Sequence, residues 1–397
     1  MLKGKTVVLG VTGSIAAYKI ASLASALIKL HADVHVLMTE NATKFINPIT
    51  FETLTRNKCI VDTFDRNFPM EVEHVSLGQK ADIMMIAPAS ANIIGKLANG
   101  IADDMLSTVA LAMRAPIYIS PAMNTAMYEN KVVQDNIEKC KGYGMHIIDP
   151  AEGFLACRDI GAGKMPEPEE LLSYIMHEIA CKKDLEGKKV LVTAGPTMEA
   201  IDPVRYITNH SSGKMGYAIA ENAMLRGAEV YLVTGPTALK DIPFINMVHV
   251  TSAQSMADAV FEVKDEIDYF FLSAAVADYR PSSVAPEKIK KTDGDMQIKL
   301  ERTTDILKTL GEEKKDNQFL CGFCMETEDL INRAKDKLAK KNADLIIANS
   351  LRQEGAGFKS DTNIVTLIAK NYSEELPILS KKEIASKILD YAISVHR

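Results

Sequence analysis

The sequence predicts an α/β protein with two Rossmann-like domains, each a mostly parallel sheet flanked by helices. The chain has 397 residues, more than one ordinary core holds and enough for two domains. A β–turn–α–β pattern occurs twice, once in each half. Several strands are apolar throughout and end in small or polar residues, which is typical of parallel sheets covered on both faces.

The repeated unit begins near the amino terminus and again near the middle of the chain. Its first apolar runs, Thr6–Gly10 and Val190–Thr193, follow basic residues and lead into Gly-rich turns. A helical stretch comes next, and a second apolar run closes each unit at Val34–Met38 and Val230–Val233. This order predicts two parallel strands joined by a crossover helix in each half.

Three later segments have the composition of strands buried on both faces. They are Ala81–Asn92, Asp268–Tyr279 and Ala343–Ser350. Ligands bind to open parallel sheets beyond the carboxyl ends of the strands. The small and polar residues that end these segments are therefore where a site is expected.

A helix is predicted to finish the first domain within Lys164–Lys189. The segment opens with Pro-Glu-Pro-Glu, and both Pro and acidic residues suit the first turn of a helix. The polar run KKDLEGKK that follows predicts a hinge. We therefore place the domains at residues 1–187 and 188–397.

Composition and charge argue against several classes of protein. Hydrophobic residues make up 47% and charged residues 25%, which is typical of a globular protein. The formal net charge of −6 disfavours nucleic acid as a partner, because phosphate-backbone binding needs a basic face. No signal-peptide pattern or membrane-spanning run is evident, so a cytoplasmic protein without membrane contact is expected.

The cysteines predict free thiols in a reducing compartment. The chain has 6 of them, scattered along its length. Cys321 and Cys324 form one Cys-x-x-Cys pair, but neither a second pair nor a His cluster accompanies it. A metal site is therefore not expected there.

The turn after the first strand is the first candidate site. GVTGSIAAYK (Gly10–Lys19) precedes a helix but is not the dinucleotide fingerprint G-x-G-x-x-G. Gly13 and Ser14 can offer N–H groups and a hydroxyl to one phosphate, although a capping turn without a ligand explains them equally well. His74 and Asn124, taken alone, also fit ordinary structural positions.

Several motifs in order resemble a known family. GVTGSIAAYK, HVSL from His74, APASANIIGKLANGIADDML, PAMNTAMY and LACRDIGAGKM resemble the flavin-dependent cysteine decarboxylases. LVTAGPTMEAIDPVRYITNHSSGKMGYAIA, LSAAVADYRP and KIKK resemble phosphopantothenate–cysteine ligases. The two in this order resemble the bacterial bifunctional coenzyme A biosynthesis proteins over nearly the whole chain. The resemblance implies a flavodoxin-like, flavin-binding first domain.

For the first domain the resemblance implies FMN and the substrate 4′-phosphopantothenoylcysteine. Oxidation of the cysteine thiol to a thioaldehyde would create an electron sink β to the carboxylate, so that CO₂ can leave. His74 would assist proton removal, Asn124 would hold the carboxylate, and Cys157 on a Gly-rich lid would return a proton. The expected FMN contacts are Gly13, Ser14, Thr39 and Ser90, of which the last two also suit strand-end caps.

The first domain departs from the family pattern at two positions. Tyr128 stands where the PAMNTAMY motif commonly ends in Trp, which exchanges one ring for another. Arg158 stands where Gly commonly follows the lid cysteine, and Arg adopts glycine-like backbone angles only at a cost.

For the second domain the resemblance implies that CTP and Mg²⁺ join 4′-phosphopantothenate to cysteine. The carboxylate would attack the α-phosphate and expel pyrophosphate, and the amine of cysteine would then displace CMP. Asn209 is assigned to the acyl-cytidylate and Lys288 to the transferring phosphate, while the Mg²⁺ ligands stay unassigned. The expected CTP contacts are Ala274, Asp278, Lys288, Thr304, Asp305, Ile306, Leu307, Phe323, Lys337 and Lys341.

Two basic segments of the second half allow more than one interpretation. TNHSSGKMG lacks the first Gly of a P-loop, so Lys214 either contacts a phosphate or lies on the surface. Lys337 and Lys341 lie four apart on one helix face. The residues alone favour a solvent-exposed basic helix face, whereas the resemblance implies that Lys337 and Lys341 bind the triphosphate.

Two other functions fit the motifs less well. A nicotinamide-dependent oxidoreductase with two α/β domains is disfavoured by the missing G-x-G-x-x-G. A non-catalytic flavin-binding relative would lack His74 or Cys157, and both are present. The family also implies a homo-oligomer with flavin sites between subunits.

Overall fold

The computed structural model describes residues 1–63, 73–154, 160–290, 296–326, 329–350 and 360–396. The chain forms two compact units, Met1–Cys181 and Lys182–Arg397. The second unit thus begins before residue 188, where the sequence predicted that the second domain starts. The reason is that Lys183 Nζ donates to the Leu225 carbonyl at 2.9 Å and that Leu185 N–H donates to a carbonyl of the second unit at 3.0 Å.

The first unit is a five-stranded parallel sheet with helices and one hairpin. Its strands are β1 (Thr6–Val11), β2 (Asp33–Met38), β3 (Ile83–Ala89), β4 (Ile117–Pro121), β5 (His146–Ile147), β6 (Ala151–Phe154) and β7 (Ile160–Lys164). Its α-helices are α1 (Ile20–Lys29), α2 (Pro48–Thr55), α3 (Glu73–Lys80), α4 (Ala91–Ala98), α5 (Met105–Ala112), α6 (Thr125–Tyr128), α7 (Lys131–Gly142) and α8 (Pro168–Ile179). Short 3₁₀ helices cover Ile15–Lys19 and Ala42–Lys44.

The strand order of this sheet identifies its type. The order is β2–β1–β3–β4–β5 with every pairing parallel, and β6 and β7 form a separate antiparallel hairpin. This is the flavodoxin-like order, so the predicted fold of the first domain is confirmed.

Alternate residues of β1 belong to different halves of the core. Val7 and Leu9 pack in a cluster with Leu23 of α1 and Leu171 of α8. Val8 packs in the other cluster with residues of α4 and α5. Because successive side chains of a strand point to opposite faces, an all-apolar strand requires helices on both sides.

The second unit has a larger sheet and several short hairpins. Its strands are β8 (Lys189–Ala194), β9 (Met198–Ala200), β10 (Tyr206–Thr208), β11 (Glu229–Thr234), β12 (Asn246–His249), β13 (Tyr269–Leu272), β14 (Tyr279–Pro281), β15 (Leu300–Arg302), β16 (Phe319–Glu326), β17 (Leu345–Ser350), β18 (Thr362–Asn363), β19 (Val365–Ala369), β20 (Tyr372–Glu375) and β21 (Leu379–Ser380). Its α-helices are α9 (Lys214–Leu225), α10 (Ala253–Val263), α11 (Ile306–Glu313), α12 (Leu330–Lys340) and α13 (Lys381–Val395). A 3₁₀ helix covers Lys264–Glu266.

The large sheet has a Rossmann core with an antiparallel extension. Its order is β12–β11–β8–β13–β16–β17–β19–β20. The first six strands pair in parallel, and they follow the order 3-2-1-4-5-6 when numbered along the chain. The last two pairings are antiparallel. The prediction of a Rossmann-like second domain is confirmed.

A carboxylate fixes the amino ends of the central strands in both sheets. Asp82, just before β3, accepts the N–H of Thr6 at the start of β1 at 2.8 Å. Asp268, just before β13, accepts the N–H of Lys189 at the start of β8 at the same distance. These bonds lie at the amino edges of the sheets. The loops at the carboxyl edges do not take part in them.

Within the described ranges, every helix is too short or too polar to cross a lipid bilayer.

The same arrangement recurs at Asp344, and it supports a stability prediction. Asp344 accepts the N–H of Leu320 in β16 and contacts Lys314 Nζ through both oxygens, at 2.8 and 2.7 Å. We expect Asp344→Ala to lower the free energy of opening of β16 and β17 by about 2 kcal/mol, since bonds to charged groups are lost. Amide hydrogen exchange of the full chain measures this.

The exposed Asp336 on α12 provides the matched control. Asp336→Ala is expected to change the exchange of β16 and β17 by less than about 0.5 kcal/mol. Equal effects of the two substitutions would refute the role given to Asp344.

Candidate active sites

A cavity of about 450 Å³ lies among the loops that follow β1, β3 and β4. Neighbouring loops diverge beside β1 in this strand order, which is where flavodoxin-like sheets bind their ligands. Gly13, Ser14, Ser90 and Asn124 all line the cavity. The structure therefore brings together four of the residues singled out from the sequence.

Thr12 ties two walls of this cavity together. Its buried hydroxyl donates to the Pro88 carbonyl at 2.6 Å and accepts the N–H of Ser90 at 2.9 Å. Sequence reasoning missed this residue, although it is the polar side chain that directly follows β1. The bond fixes the spacing between the loops after β1 and β3.

Ser14 and Ser90 cap helices at the same place where they line the cavity. Ser14 Oγ accepts the N–H of Ala16 at 3.4 Å, and Ser90 Oγ accepts the N–H of Ile93 at 3.5 Å. Capping and ligand contact were alternatives in the sequence, but the geometry allows both. The N–H groups of these first turns are oriented as an anion would require.

Thr39 lies elsewhere. Its N–H donates to the Val11 carbonyl at 3.0 Å, and its hydroxyl accepts the N–H of Ala42 at 3.3 Å. Among the described residues around the cavity, Thr39 is not part of the wall. The strand-end cap explains this residue, and the predicted FMN contact finds no support in its position.

Asn124 presents one end of its amide to the cavity. Its Oδ1 accepts the N–H of Met127 at 2.8 Å and caps α6. Because the oxygen is engaged with the backbone, the two N–H donors of the amide remain for an anionic ligand group. Met123 and Met127 also line the cavity.

Two predicted catalytic residues cannot be placed in this cavity. The backbone of His74 belongs to α3, but its side chain lies outside the described structure. Cys157 and its neighbour Arg158 lie outside the described residues, between β6 and β7. The ring of Tyr128, by contrast, packs against the core cluster of α4, α5 and α7.

The second unit has two adjoining cavities at the carboxyl edge of β8, β13 and β16. The larger has a volume of about 660 Å³ and the smaller about 430 Å³. They share a wall formed by Ala274, Val276, Asp278, Phe323 and Lys337. A ligand that reaches across this wall would occupy both.

The larger cavity collects nearly all of the predicted CTP contacts. Those that line it are Ala274, Asp278, Thr304, Asp305, Ile306, Leu307, Phe323, Lys337 and Lys341. Sequence reasoning drew them from four separate segments, and the fold brings these segments to one place.

Hydrogen bonds fix the charged side chains of the larger cavity. Lys337 Nζ donates to the Phe323 carbonyl at 2.8 Å, and Lys341 Nζ donates to Asp305. Asp305 also caps α11 by accepting the N–H of Lys308 at 2.9 Å. Burial raises the pKa of the Asp305 carboxyl, but the hydrogen bonds outweigh burial and leave the pKa below its usual value. Both lysines line a cavity rather than an open helix face.

The smaller cavity lies at the first turn of α9. Asn209 Nδ2 donates to the carbonyls of Ala275 and Val276 at 3.2 and 3.4 Å. Gly213 caps the helix with a φ of 75° and without a side-chain hydrogen bond. Lys214 lines the cavity and pairs with the exposed Asp361 at 2.7 Å, so its contact with a phosphate stays a prediction.

Lys288 is the predicted CTP contact that the structure does not bring to the larger cavity. Its side chain is exposed, and among the described residues it lines neither cavity. The next residue, Ile289, is held by the second unit's own polar groups. Its N–H donates to buried Asp202 at 3.2 Å, and its carbonyl accepts from Arg205 at 2.8 Å.

Two family models match the chain, one for each unit. The family described as Flavoprotein matches residues 1–180. The family described as DNA/pantothenate metabolism flavoprotein C-terminal domain matches residues 185–395.

Full-length relatives agree with these matches. The Coenzyme A biosynthesis bifunctional protein CoaBC of Bacillus subtilis is 48% identical over 394 residues, covering 98% of this chain and 97% of that protein. The protein of the same name from Haemophilus influenzae is 43% identical over 392 residues, covering 99% and 98%. A Cysteine/Cysteine sulfinic acid decarboxylase of an unknown prokaryotic organism is 44% identical over 350 residues, covering 87% and 98%.

The chain belongs to the family of bifunctional coenzyme A biosynthesis proteins. The resemblance stated from the sequence motifs is thereby confirmed. The chain is an enzyme of this family, which joins a phosphopantothenoylcysteine decarboxylase to a phosphopantothenate–cysteine ligase. Its first unit is the flavoprotein half.

Sequence reasoning missed two polar residues of the ligase half. Within the described part of the chain, Asn349 Oδ1 is a buried acceptor without a hydrogen-bond partner, and it lines the smaller cavity. Lys381 lines the same cavity and is buried. Asn349 carried a signal, since it ends an apolar strand. Lys381 carried none, because the sequence KKE resembles an exposed helix start.

The ligase half shows no preformed metal centre in the described residues. No group of three or more His, Cys, Asp or Glu side chains there is arranged to hold a metal ion. Asp278 is the carboxylate that faces both cavities. Mg²⁺ commonly binds through one or two carboxylates together with substrate phosphates, so this arrangement remains compatible with it.

The Cys321–Cys324 pair has no redox geometry. Both are buried thiols within β16, and neither belongs to a disulfide. Residues three apart on an extended strand are roughly 10 Å apart, beyond the reach of a disulfide. Burial raises the pKa of the Cys321 thiol well above its usual value.

Gly163 of the β6–β7 hairpin contacts the turn that precedes Asn124, and this contact supports a prediction. Met123 N–H donates to the Gly163 carbonyl at 3.1 Å, and a Cβ on Gly163 would lie 2.3 Å from the Met123 oxygen. We expect Gly163→Ala to reduce decarboxylation at least about tenfold, because the turn must move. The rate with supplied 4′-phosphopantothenoylcysteine measures it.

Gly142→Ala is the matched control, since a Cβ there meets nothing within 4 Å. It should leave decarboxylation unchanged, and neither substitution should alter the ligase rate. A Gly163→Ala variant as active as the control would contradict the close contact.

Proposed function

We propose that the first unit decarboxylates 4′-phosphopantothenoylcysteine with FMN, and that the second unit makes this substrate from 4′-phosphopantothenate, cysteine and CTP. The main support is the position of the cavities. Each lies at the carboxyl edge of its sheet and collects residues that the family motifs assign to these reactions. The place of action is expected to be the cytoplasm.

The first cavity fits a flavin mononucleotide. Gly13 and Ser14 at the start of the 3₁₀ helix suit a phosphate, and Ser90 lies on the opposite loop. Ala122 and Met123 supply apolar surface for a flat ring. Bound FMN supplies the oxidation of the substrate thiol and later returns the electrons.

Residues of the chain bind the substrate carboxylate and transfer the protons. The N–H donors of Asn124 bind the substrate carboxylate and orient the bond to be broken. By family correspondence, His74 accepts a proton during thiol oxidation, and Cys157 returns a proton at the end. Loss of CO₂ is favoured once the adjacent carbon bears a thiocarbonyl, which accepts the electron pair.

The role given to His74 is tested by His74→Asn. We expect CO₂ release to fall by at least about 10²-fold, because a general base contributes that much to proton transfer. The purified variant should stay yellow, since His74 is not assigned to flavin binding. The ligase rate of the same variant is the control and should not change. A His74→Asn variant that decarboxylates at the wild-type rate would refute the assignment.

In the second unit the reaction requires charge stabilisation on the phosphates. The carboxylate of 4′-phosphopantothenate attacks the α-phosphate of CTP and expels pyrophosphate. Lys337 and Lys341 carry positive charge at the larger cavity, and Phe323 offers a flat surface for the base. Asp278 lines both cavities and would help to hold Mg²⁺, which would neutralise negative charge on the phosphates.

Asn209 is suited to the acyl intermediate. Its amide donates to the carbonyls of Ala275 and Val276, and Val276 belongs to the wall shared by the two cavities, where the mixed anhydride would form. The orphan acceptor of Asn349 suits the amine of cysteine, which has N–H bonds to donate. The amine then displaces CMP and forms the amide.

Mixing 4′-phosphopantothenate, cysteine and CTP tests the ligase directly. Wild-type protein should release pyrophosphate and CO₂ and form 4′-phosphopantetheine. We expect Asn209→Ala to lower ligase kcat/KM by about 10²-fold, as for other polar groups that stabilise an acyl intermediate. Lys288→Ala is expected to slow the same step.

Decarboxylation of supplied 4′-phosphopantothenoylcysteine by these variants is the control, and it should not change. Absence of pyrophosphate with wild-type protein would refute the ligase assignment. Replacement of CTP by ATP measures the nucleotide preference. A colourless protein that requires a nicotinamide cofactor would favour the oxidoreductase alternative.

We also propose that the flavin cavity is completed by a second copy of the chain. Ile15, Tyr18 and Met127 line the cavity yet expose 57%, 59% and 47% of their surface. Large apolar groups that are this exposed around one site mark a contact surface. Light scattering during gel filtration would detect the homo-oligomer, and a monomer at assay concentration would refute it.

A further inference from the structure

Two lysines that line the flavin cavity bind the same carboxylate. Lys19 ends the 3₁₀ helix that follows β1, and Lys164 ends β7. Their Nζ atoms lie 2.8 and 3.5 Å from one oxygen of Glu167, the residue that precedes α8. Two ammonium groups from distant parts of the chain are therefore close together at this cavity.

The charges at this place do not cancel. A hydrogen bond from Lys19 lowers the pKa of the Glu167 carboxyl, and the contact with Lys164 lowers it further, so Glu167 is ionised at neutral pH. Two ammonium groups thus face one carboxylate. Among the residues that the structure describes, no Asp or Glu side chain lines the cavity. One positive charge in excess remains to attract an anionic group of a ligand.

The phosphate of FMN has a different place in the same cavity. Gly13 and Ser14, which suit that phosphate, precede the 3₁₀ helix Ile15–Lys19, whereas Lys19 is its last residue. A 3₁₀ helix rises about 2.0 Å per residue, so the backbone of Lys19 lies roughly 10 Å beyond Ser14. This separation indicates a site for a second anion.

The proposed substrate of the first unit supplies such an anion. In 4′-phosphopantothenoylcysteine the pantothenoyl arm joins a phosphate at one end to the cysteine carboxylate at the other. Lys164 directly follows Gly163, whose carbonyl accepts the N–H of Met123 in the turn before Asn124. A substrate whose carboxylate binds to Asn124 therefore has both lysines in the same cavity for its phosphate.

We propose that Lys19 and Lys164 bind the phosphate group of the decarboxylase substrate. The proposal rests on the proposed decarboxylase function of the first unit. It adds a phosphate site formed by two lysines to which the sequence motifs gave no role. A lysine ammonium binds phosphate as a point charge, through charge-assisted hydrogen bonds. The unit thereby distinguishes its substrate from the unphosphorylated counterpart, pantothenoylcysteine.

Decarboxylation of these two compounds by the full chain with bound FMN tests the proposal. Wild-type protein should have the higher kcat/KM for the phosphorylated compound. Loss of a charge-assisted hydrogen bond in Lys164→Met should lower this kcat/KM about ten- to one-hundred-fold. The kcat/KM for pantothenoylcysteine should change less than about twofold, which also verifies that the first unit is folded. Lys19→Met should show the same selective loss.

Lys141→Met is the matched control. Lys141 contacts Glu138, three residues away, at 2.8 Å, just as Lys164 contacts Glu167, three residues away. Its side chain is exposed and, in the described part of the chain, does not line the cavity. This substitution should leave both kcat/KM values unchanged. Lys164→Arg keeps the positive charge and is expected to recover most of the preference for the phosphorylated compound.

Three results for Lys164→Met would overturn the proposal. They are an unchanged kcat/KM for the phosphorylated compound, an equal loss for both compounds, and release of FMN. The last would assign the lysine to the phosphate of the cofactor. Failure of the proposed function gives a different result, because wild-type protein would then decarboxylate neither compound. Equal kcat/KM values of wild-type protein for the two compounds would refute the phosphate site alone.

Discussion

Hydrogen bonds from carboxylates to the amino ends of neighbouring strands are the constraint on which both units depend. Asp82 in the first sheet and Asp268 in the second each precede one strand and bind the backbone of the adjacent strand. Parallel strands that are aligned at this edge finish together at the other edge. The loops that carry polar residues therefore emerge side by side, and the cavities form there.

Several of the polar residues that face each cavity are also the residues that cap neighbouring helices. A helix that starts directly after a strand leaves N–H groups without partners in its first turn. Ser14, Ser90, Asn124 and Asp305 each accept one such N–H and also line a cavity. The structural and the ligand-binding roles of these side chains are thus parts of one arrangement, because both use the same turn.

Much of this arrangement could be predicted from the sequence. Fully apolar runs identified the central strands, and family motifs identified most of the residues around the cavities. The roles of Thr39 and Lys288 remain predictions, since among the described residues neither lines the cavity to which it was assigned. Thr39 ends a strand as expected, but the sequence does not reveal that its hydroxyl is used by the Ala42 turn.

Lys381 shows a second limit of sequence reasoning. It directly follows β21, which pairs with β18, and each of these strands has only two residues. Strands this short have no hydrophobic periodicity from which they could be recognised. The lysine therefore resembles an ordinary surface residue until the tertiary structure is known.

More lysines line the ligase cavities than line the first cavity, and the proposed reactions explain why. In the first cavity Lys19 and Lys164 both pair with Glu167, at 2.8 and 3.5 Å, so their positive charge is partly compensated. Decarboxylation disperses the charge of a carboxylate, and a site with little excess positive charge does not stabilise that carboxylate before it reacts. The ligase cavities instead hold several lysines in series, although the chain as a whole is acidic, with a net charge of −6. Phosphate activation accumulates negative charge on the leaving group, so cations fixed in advance lower its barrier.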